Sequence, residues 1–166
     1  ILRKGQHHGV KQLSFKYTGE VLGSVYTKYQ KKINDYVEYK GDIIWDGRDC
    51  YHIQLDNKEY ALVDYKVQAG EDIISIARKT HANEYMLLEQ NKLKNFDSVK
   101  AGQIIKVPNS YCKSITMYVD KELKLPIYQK MYDEVGHSAT YEYTKVQINP
   151  SFSADEFTKE FKEYDF

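Results

Sequence analysis

The spacing of hydrophobic and polar residues divides the chain into three parts. Across most of the first 64 residues, and again after residue 108, apolar and aromatic side chains alternate with polar ones. This period of two is typical of β-strands, whose successive side chains point to opposite faces of a sheet. Between residues 65 and 108 the period lengthens toward 3.6, which indicates helices. The pattern predicts a β-rich protein that is interrupted by one helical segment.

The N-terminal part contains several predicted strands and one ambiguous stretch. Residues 11–18 alternate and favour a strand. Residues 19–35 favour a partly helical structure because Val21, Leu22 and Val25 fit a helical period. Residues 36–47 predict a strand, a turn and a second strand. A hairpin is predicted from Tyr51 to Leu55 and from Tyr60 to Val67, with its turn at Asp56, Asn57 and Lys58.

The C-terminal part predicts a second group of strands and then a short helix. Residues 114–120 and 125–133 alternate as strands. Gly136 can supply a positive φ for the turn into a return strand over residues 138–148. A serine and a glutamate at the spacing of a capping box, within residues 153–156, indicate a helix start. We expect this helix to pack onto the sheet through Phe157, Phe161 and Tyr164.

The central segment contains two short helical patterns followed by a short strand. Asp72 stands where the N-cap of the first helix is expected. A second helix is predicted to begin after Asn83, and a last strand ends at Pro108. These predictions depend on Ile73, Ile76 and Ala77 in the first helix, on Leu87 and Leu88 in the second, and on Gly102 and Gln103 at the final turn.

Composition excludes some classes of partner. The chain has 24 lysines and arginines against 24 aspartates and glutamates, so its formal net charge is zero. A neutral chain lacks the basic surface that binds nucleic acid or anionic membranes, and we expect neither as a partner. Its 16 tyrosines favour strands, and aromatic rings also suit contacts with sugars and lipids. No apolar run approaches the roughly 18 residues that a membrane helix needs.

Two cysteines and a pair of histidines are the candidates for a cross-link or a metal site. Cys50 and Cys112 flank the central segment, and they could form one disulfide in an oxidising compartment or remain two buried thiols. Neither belongs to a CxxC pair, which argues against a redox or zinc site. His7 and His8 would point apart on a strand with no further ligand nearby, so no metal site is predicted.

An ordered set of residues marks the central segment: Tyr65, Val67, Gly70, Ile73, Ile76, Ala77, Leu87, Leu88, Asn91, Val99, Gly102, Gln103, Ile105 and Pro108. In this order and spacing the segment resembles LysM, a module that binds N-acetylglucosamine polymers in peptidoglycan and chitin. The resemblance implies a βααβ fold over residues 65–108 with a shallow groove between two loops. The glycan-binding residues that it implies are Ala69, Gly70, Glu71, Asp72 and Ile73 on one side and Asn95, Phe96, Asp97 and Ser98 on the other.

This chain departs from the usual LysM pattern beside the implied groove. The glycine of the first loop is usually followed by Asp-Thr-Leu, whereas here Glu71, Asp72 and Ile73 follow it. Asp72 can cap the helix as threonine would, so the fold is compatible with the change. The additional acid would place negative charge near a bound sugar, which would weaken or redirect the binding.

The β-rich end of the chain has motifs of its own. Leu125 and Pro126 open a strand, residues 132–136 form a Tyr-Asp-x-x-Gly turn, and Tyr141 and Tyr143 lie in a Tyr-x-Tyr return strand. They resemble the tail of lipoprotein-carrier-like (LolA-like) bacterial envelope proteins. The resemblance implies an α+β fold with an antiparallel, incomplete β-barrel, lacking its N-terminal part, around an apolar cavity. Residues 1–64 and 109–166 would form this half-barrel and residues 65–108 the insert, in a periplasmic or outer-membrane-associated protein.

No catalytic motif is found in the sequence, which has neither a GxSxG elbow, nor an HExxH helix, nor a phosphate loop. Glu71 and Asp72 are the only paired acids beside the implied groove, so a weak glycan hydrolase is the least favoured hypothesis. We expect a non-enzymatic protein without a cofactor. Its insert would contact peptidoglycan or another N-acetylglucosamine glycan, and its half-barrel would hold a lipid or acyl chain. The alternative is an assembly protein whose insert docks another envelope protein.

Overall fold

The computed structural model describes residues 14–134, 136–158 and 161 and has an α+β fold with two antiparallel sheets. His7 and His8 lie outside the described residues. The helices are α1 (Phe15–Tyr29), α2 (Ile33–Tyr36), α3 (Ile73–Thr80) and α4 (Glu84–Gln90), with a 3-10 turn (Gln30–Lys32) between the first two. The strands are β1 (Val37–Trp45), β2 (Arg48–Asp56), β3 (Leu62–Lys66), β4 (Ile104–Pro108), β5 (Ser114–Asp120), β6 (Pro126–Tyr132) and β7 (His137–Glu142).

The larger sheet has the strand order β1-β2-β5-β6-β7, and all its neighbours are antiparallel. Strands β3 and β4 form the second sheet by themselves. Because β2 pairs directly with β5, the chain between them leaves the larger sheet and returns to it. Among the described residues the five strands do not close into a barrel. Helix α1 packs against them through a cluster that includes Val25, Tyr29, Leu55, Ile115, Met117 and Met131.

Helix α1 covers residues 15–18 of the strand that the sequence predicted over residues 11–18, while residues 11–13 lie outside the described residues. The Ser14 hydroxyl accepts a hydrogen bond from the Tyr17 N–H at 3.2 Å and caps the helix. Thr18, Val21 and Val25 are buried at helical spacing. The strand prediction was wrong because a short alternating run also fits the first turns of an amphipathic helix, and only the longer window separates the two. The helical prediction within residues 19–35 is confirmed.

Strand β1 is continuous where the sequence predicted a strand, a turn and a second strand. Its pairing with β2 shifts between Tyr39 and Gly41, and Gly41 has a φ of 104°. Such a shift is a β-bulge, in which an additional residue bends a strand without ending it. The glycine supplies a backbone conformation that other residues rarely adopt. The prediction of a turn within residues 36–47 was therefore wrong.

Strands β2 and β3 do not form the hairpin that the turn residues after Leu55 predicted. Strand β2 pairs with β5, and β3 pairs with β4. The Asn57 N–H donates to the Lys113 carbonyl at 2.7 Å, and the Asn57 side-chain oxygen accepts from the Glu59 N–H at 3.0 Å. The turn chemistry therefore ends β2 and directs the chain into the second sheet. Alternation identifies a strand but does not identify its partner, which is why the hairpin prediction failed.

The C-terminal strands β5 and β6 confirm the sequence predictions, and Gly136 has the expected positive φ, at 134°. Strand β7 ends at Glu142 and is shorter than expected. The Ser153 N–H donates to the Glu156 carboxylate at 2.8 Å, yet residues 154–157 form a turn instead of a helix. Phe157 is 77% exposed, so its predicted packing onto the sheet was wrong. Tyr164 lies outside the described residues.

The two cysteines are free thiols, and both are buried. Cys50 lies opposite Asp120, whereas Cys112 precedes Ser114, which lies opposite Asp56 at the other end of the same ladder. Six residues of extended strand span about 20 Å. A disulfide requires Cα atoms within about 7 Å. The disulfide between Cys50 and Cys112 is therefore a prediction that the structure corrects, and the alternative of two buried thiols is the one observed.

A small cavity lies between α1 and the larger sheet. Its volume is about 30 Å³, and its lining includes Val21, Leu22, Tyr111, Gln129 and Met131. A space of this size holds about one water molecule. The lining is mostly apolar, as a lipid-binding half-barrel requires, but the space is far smaller than an acyl chain. The carrier-like resemblance stays a prediction about this part of the chain.

Candidate functional site

Strand β3, helices α3 and α4, and strand β4 form a compact unit over residues 62–108, which we call the small unit. We call α1, α2 and the five-stranded sheet the large unit. The small unit has a hydrophobic cluster of its own, and burying each aliphatic side chain in it contributes about 1.5–3 kcal/mol. The buried members are Val67, Ile73, Ile76, Ala77, Ala82, Leu87, Ile105 and Val107.

Both helices of the small unit begin at the residues that the sequence predicted. The Asp72 carboxylate accepts from the Ser75 N–H at 2.6 Å, and the Ser75 hydroxyl accepts from the Asp72 N–H at 2.9 Å. The side-chain oxygen of Asn83 accepts from the N–H groups of Tyr85 at 2.9 Å and Met86 at 3.1 Å. These contacts satisfy helix N–H groups that have no partner within the helix. The Ser75 hydrogen bonds also hold the pKa of Asp72 below its ordinary value.

Asn91 joins the end of α4 to the outer edge of β4. Its amide group donates to the carbonyls of Leu87 at 2.9 Å and Lys106 at 2.8 Å. Its side-chain oxygen accepts from the Lys106 N–H at 2.7 Å. The amide therefore bonds to Lys106 as a neighbouring strand would, and it fixes the helix against the sheet. Asn91 therefore joins α4 to β4.

Two loops lie side by side at one end of the small unit. The first, residues 67–72, leads from β3 to α3, and the second, residues 93–98, follows α4. The Ile73 N–H donates to the Phe96 carbonyl at 3.0 Å and joins them. Of the nine glycan-binding residues that the sequence predicted, Ala69, Gly70, Asn95 and Asp97 are exposed, Glu71, Asp72, Phe96 and Ser98 are half-buried, and Ile73 is buried.

Ile73 is the predicted contact residue that the structure removes from the surface. Its side chain is 0% exposed and belongs to the hydrophobic cluster, and its N–H is already bonded to Phe96. It lies below the surface between the loops, and neither its side chain nor its N–H is available to a ligand. Phe96 packs edge-on against Tyr85 with ring centroids 5.4 Å apart. This half-buried ring leaves an apolar edge at the surface between the loops.

The second loop is held by a side-chain contact of its own. The Ser98 hydroxyl donates to the Asn95 side-chain oxygen at 2.6 Å and accepts from the Asn95 N–H at 3.1 Å. Among the described residues, no protein group accepts a hydrogen bond from the N–H of Gly70, Phe96 or Asp97. The two loops therefore present unused backbone donors beside an apolar ring.

The Glu71 carboxylate is occupied within the small unit. It accepts from the Tyr65 hydroxyl at 2.8 Å, from the Gln68 N–H at 2.8 Å and from the Lys79 ammonium at 3.0 Å. Its side chain is 14% exposed. The Gln68 N–H, followed by Tyr65 and Lys79, holds the pKa of Glu71 below its ordinary value. The acid that departs from the usual LysM pattern is thus paired inside the protein.

Tyr65 and Lys79 are the site residues that sequence reasoning missed in this role. Lys79 lies in the last turn of α3, eight residues after Glu71, and its ammonium also donates to the Tyr65 hydroxyl at 3.0 Å. A glutamate before a helix and a lysine at the helix end lack the three- or four-residue spacing that signals a pair on one helix. The contact depends on how β3 crosses the end of α3, which the sequence pattern does not contain.

Comparison with known proteins decides the class of the small unit. Residues 65–108 match the LysM domain family. No curated protein and no solved structure matches the chain. The small unit has the βααβ order of that family, and its strand pairing begins at Leu62, three residues before the matched range. LysM domains are binding modules for N-acetylglucosamine glycans such as peptidoglycan and chitin, and they are typically extracellular or envelope-associated.

Among the described residues, no helix is long and apolar enough to cross a membrane. No group of three or more histidine, cysteine, aspartate or glutamate side chains is placed to hold a metal ion in that part of the chain.

Proposed function

We propose that the LysM domain binds an N-acetylglucosamine glycan, with peptidoglycan as the natural ligand, between the loops at Ala69 to Asp72 and Asn95 to Ser98. The observation that carries the proposal is the set of unused N–H groups at Gly70, Phe96 and Asp97, held together by the bond between Ile73 and Phe96. The N-acetyl group of such a sugar offers a carbonyl acceptor to these donors. The apolar edge of Phe96 can cover the flat face of the ring.

We propose binding without cleavage. A glycosidase needs a carboxylic acid that is protonated near neutral pH, which requires a raised pKa. Glu71 and Asp72 have lowered pKa values because hydrogen bonds stabilise their carboxylates. Both acids are therefore ionised and held by partners within the domain. Their roles in folding account for them without any role in catalysis.

We propose that the LysM domain is an insert of residues 65–108 in a sheet domain of residues 1–64 and 109–166. The supporting contacts lie where the chain passes between the two units. The Asn109 N–H donates to the Ala61 carbonyl at 2.9 Å, and the Asn109 side chain accepts from the Ala61 N–H at 3.2 Å and donates to the Glu59 carbonyl at 2.6 Å. Both connections between the two units therefore meet at Asn109.

A lipid or acyl chain in the large unit is a second proposal, favoured by the apolar lining between α1 and the sheet. The cavity of about 30 Å³ would have to widen by movement of α1. Native mass spectrometry of gently purified protein tests it, and a bound lipid that Val25→Trp displaces is the expected result. We propose a periplasmic or outer-membrane-associated location, which fits the typical setting of LysM domains.

The glycan proposal is tested by isothermal titration with chitopentaose and by sedimentation with purified peptidoglycan. Wild-type protein is expected to bind both, and the double variant Gly70→Ala/Phe96→Ala is expected to lose binding. Gly70 has a φ of 80°, so a side chain there also strains the loop. The matched control is Val63→Ala/Ile104→Ala, which shortens two exposed apolar residues of the small unit.

Equal binding by the wild type and the groove variant, with both folded by circular dichroism, would place the site elsewhere. Failure of the wild type to bind either probe would favour the alternative function, a module that docks another envelope protein.

A further inference from the structure

The charges around the groove determine which glycan it would prefer. Glu71 and Asp72 are the two acids of the first loop, and both make contacts within the domain. Glu71 is paired with Lys79 and accepts two further hydrogen bonds from Tyr65 and Gln68. Asp72 is bonded to Ser75 at the start of α3, where the helix dipole also favours its charge. Lys79 therefore balances the charge of Glu71, whereas Asp72 keeps one negative charge at the start of α3.

The second loop is basic. Lys92, Lys94 and Lys100 flank it and are exposed, and Asp97 is the only acid between them. Among the described residues, none of these three lysines forms an ion pair, whereas Lys79 and Lys106 of the same domain do. Three unpaired ammonium groups against one carboxylate leave an excess of positive charge around the loop that carries Phe96. The chain as a whole is neutral, so this excess is local.

We infer that the groove selects N-acetylhexosamine glycans that carry carboxylates over neutral ones, with Lys92, Lys94 and Lys100 as the residues that set the preference. The inference rests on the proposed glycan binding and adds the class of ligand. Muramic acid units supply such negative charge where their lactyl carboxylates are free of stem peptides, whereas chitin is uncharged. The lysines attract the ligand electrostatically without touching it. Exposed charges within about 8 Å act on one another at physiological salt.

The test compares one glycan with and without its charge. Glycan strands from peptidoglycan are stripped of their peptides, which frees the lactyl carboxylates, and half of the sample is converted to the neutral amide. Titration calorimetry of both samples and of chitopentaose is carried out at about 25 mM and about 300 mM salt. We expect the carboxylate form to bind about tenfold more tightly than the amide at low salt, and this ratio to shrink at high salt.

Two variants distinguish an effect of these three lysines from an effect of the net charge of the protein. Lys92→Gln/Lys94→Gln/Lys100→Gln is expected to weaken binding of the carboxylate form about tenfold and to change chitopentaose binding less than about twofold. The control Lys31→Gln/Lys58→Gln/Lys145→Gln removes the same charge from exposed lysines outside the LysM domain and is expected to change neither.

Each other outcome overturns the inference. Equal binding of the carboxylate and amide forms, with chitopentaose also bound, overturns the charge preference and leaves the proposed function intact. An equal loss for both charge variants shows that net charge, not the groove, attracts the ligand. Binding of none of the three probes overturns the proposed function and this inference together.

Discussion

The small and large units satisfy their buried polar groups in different ways. In the small unit each helix start is capped, Asn91 makes three hydrogen bonds, and Glu71 is held by three residues. Among the described residues, the large unit and its border contain buried polar atoms without a hydrogen-bond partner. They include the hydroxyls of Tyr29 and Tyr60 and the indole N–H of Trp45. A buried polar atom without a partner costs about 1–3 kcal/mol.

The two units are therefore specified by different kinds of interaction. Polar contacts over short sequence distances define the small unit, so its loops are held in one arrangement. Apolar burial and aromatic packing define the large unit, as in the stacked pair Tyr118 and Tyr128, whose centroids are 4.5 Å apart. A preorganised binding loop requires the first kind of support. The predictions below test this difference between the units.

The largest expected effect comes from the core of the small unit. Ile76 is 0% exposed, and Ile76→Ala is expected to lower the free energy of unfolding of this unit by about 3 kcal/mol through lost burial and a cavity. Hydrogen exchange followed by mass spectrometry should show faster exchange over residues 62–108 and unchanged protection in β5 and β6. The control is Ile127→Ala, the corresponding substitution at an equally buried position in β6 of the large unit. Loss of protection in both units from Ile76→Ala would mean that they unfold together.

Asn91→Ala is expected to cost about 2 kcal/mol, because it removes two bonds that join α4 to β4 and one to the Leu87 carbonyl, and leaves the Lys106 backbone without a partner. Chemical denaturation of the small unit measures the loss. Asn91→Asp keeps the acceptor and removes the donor, so an intermediate cost is expected. If both variants matched the wild type, the side chain would not support the loops.

Asp72→Ala is expected to destabilise α3 by about 1 kcal/mol, since the capping box with Ser75 is lost. Asp72→Asn preserves a capping oxygen and should lose only a fraction of that. Thermal unfolding at neutral pH compares the three proteins. A larger loss in Asp72→Asn than in Asp72→Ala would show that the charge, not the cap, stabilises this helix.

Acid should weaken the small unit through Glu71. Its pKa in the folded state lies below the ordinary value of 4.5, because the Gln68 N–H, Tyr65 and Lys79 stabilise the carboxylate. The stability that this shift provides is complete above pH 4.5 and is lost as the pH falls through the lower folded-state pKa. The stability difference between wild type and Glu71→Gln should therefore shrink from about pH 6 to about pH 3. A difference that is constant with pH would exclude a paired Glu71.

The smallest effect is expected from reducing agent. Cys50 and Cys112 are buried free thiols, and burial raises the pKa of Cys50 and raises that of Cys112 to about 12. Dithiothreitol should leave the thermal midpoint unchanged, and both thiols should react with iodoacetamide only after unfolding. A mass two hydrogens lower than that of the reduced chain would reveal a disulfide that the strand register does not allow.

The sequence predicted the small unit far better than the large one. Helix starts at Asp72 and Asn83 follow from local capping chemistry, and strands β5 and β6 follow from alternation. The partner of β2 could not be predicted, because it lies beyond the LysM domain and no local signal selects it. In the candidate site, the burial of Ile73 and the pairing of Glu71 with Lys79 could not be predicted, because both depend on packing between elements.

The most direct test of the central claim is a titration of ¹⁵N-labelled protein with chitopentaose, followed by amide chemical shifts. The account predicts that the N–H signals of Gly70, Phe96 and Asp97 shift most, with smaller changes at Ala69 and Asn95. It predicts that strands β5 to β7 do not respond. Shifts confined to the large unit, or no shift at any concentration, would contradict glycan binding between the two loops.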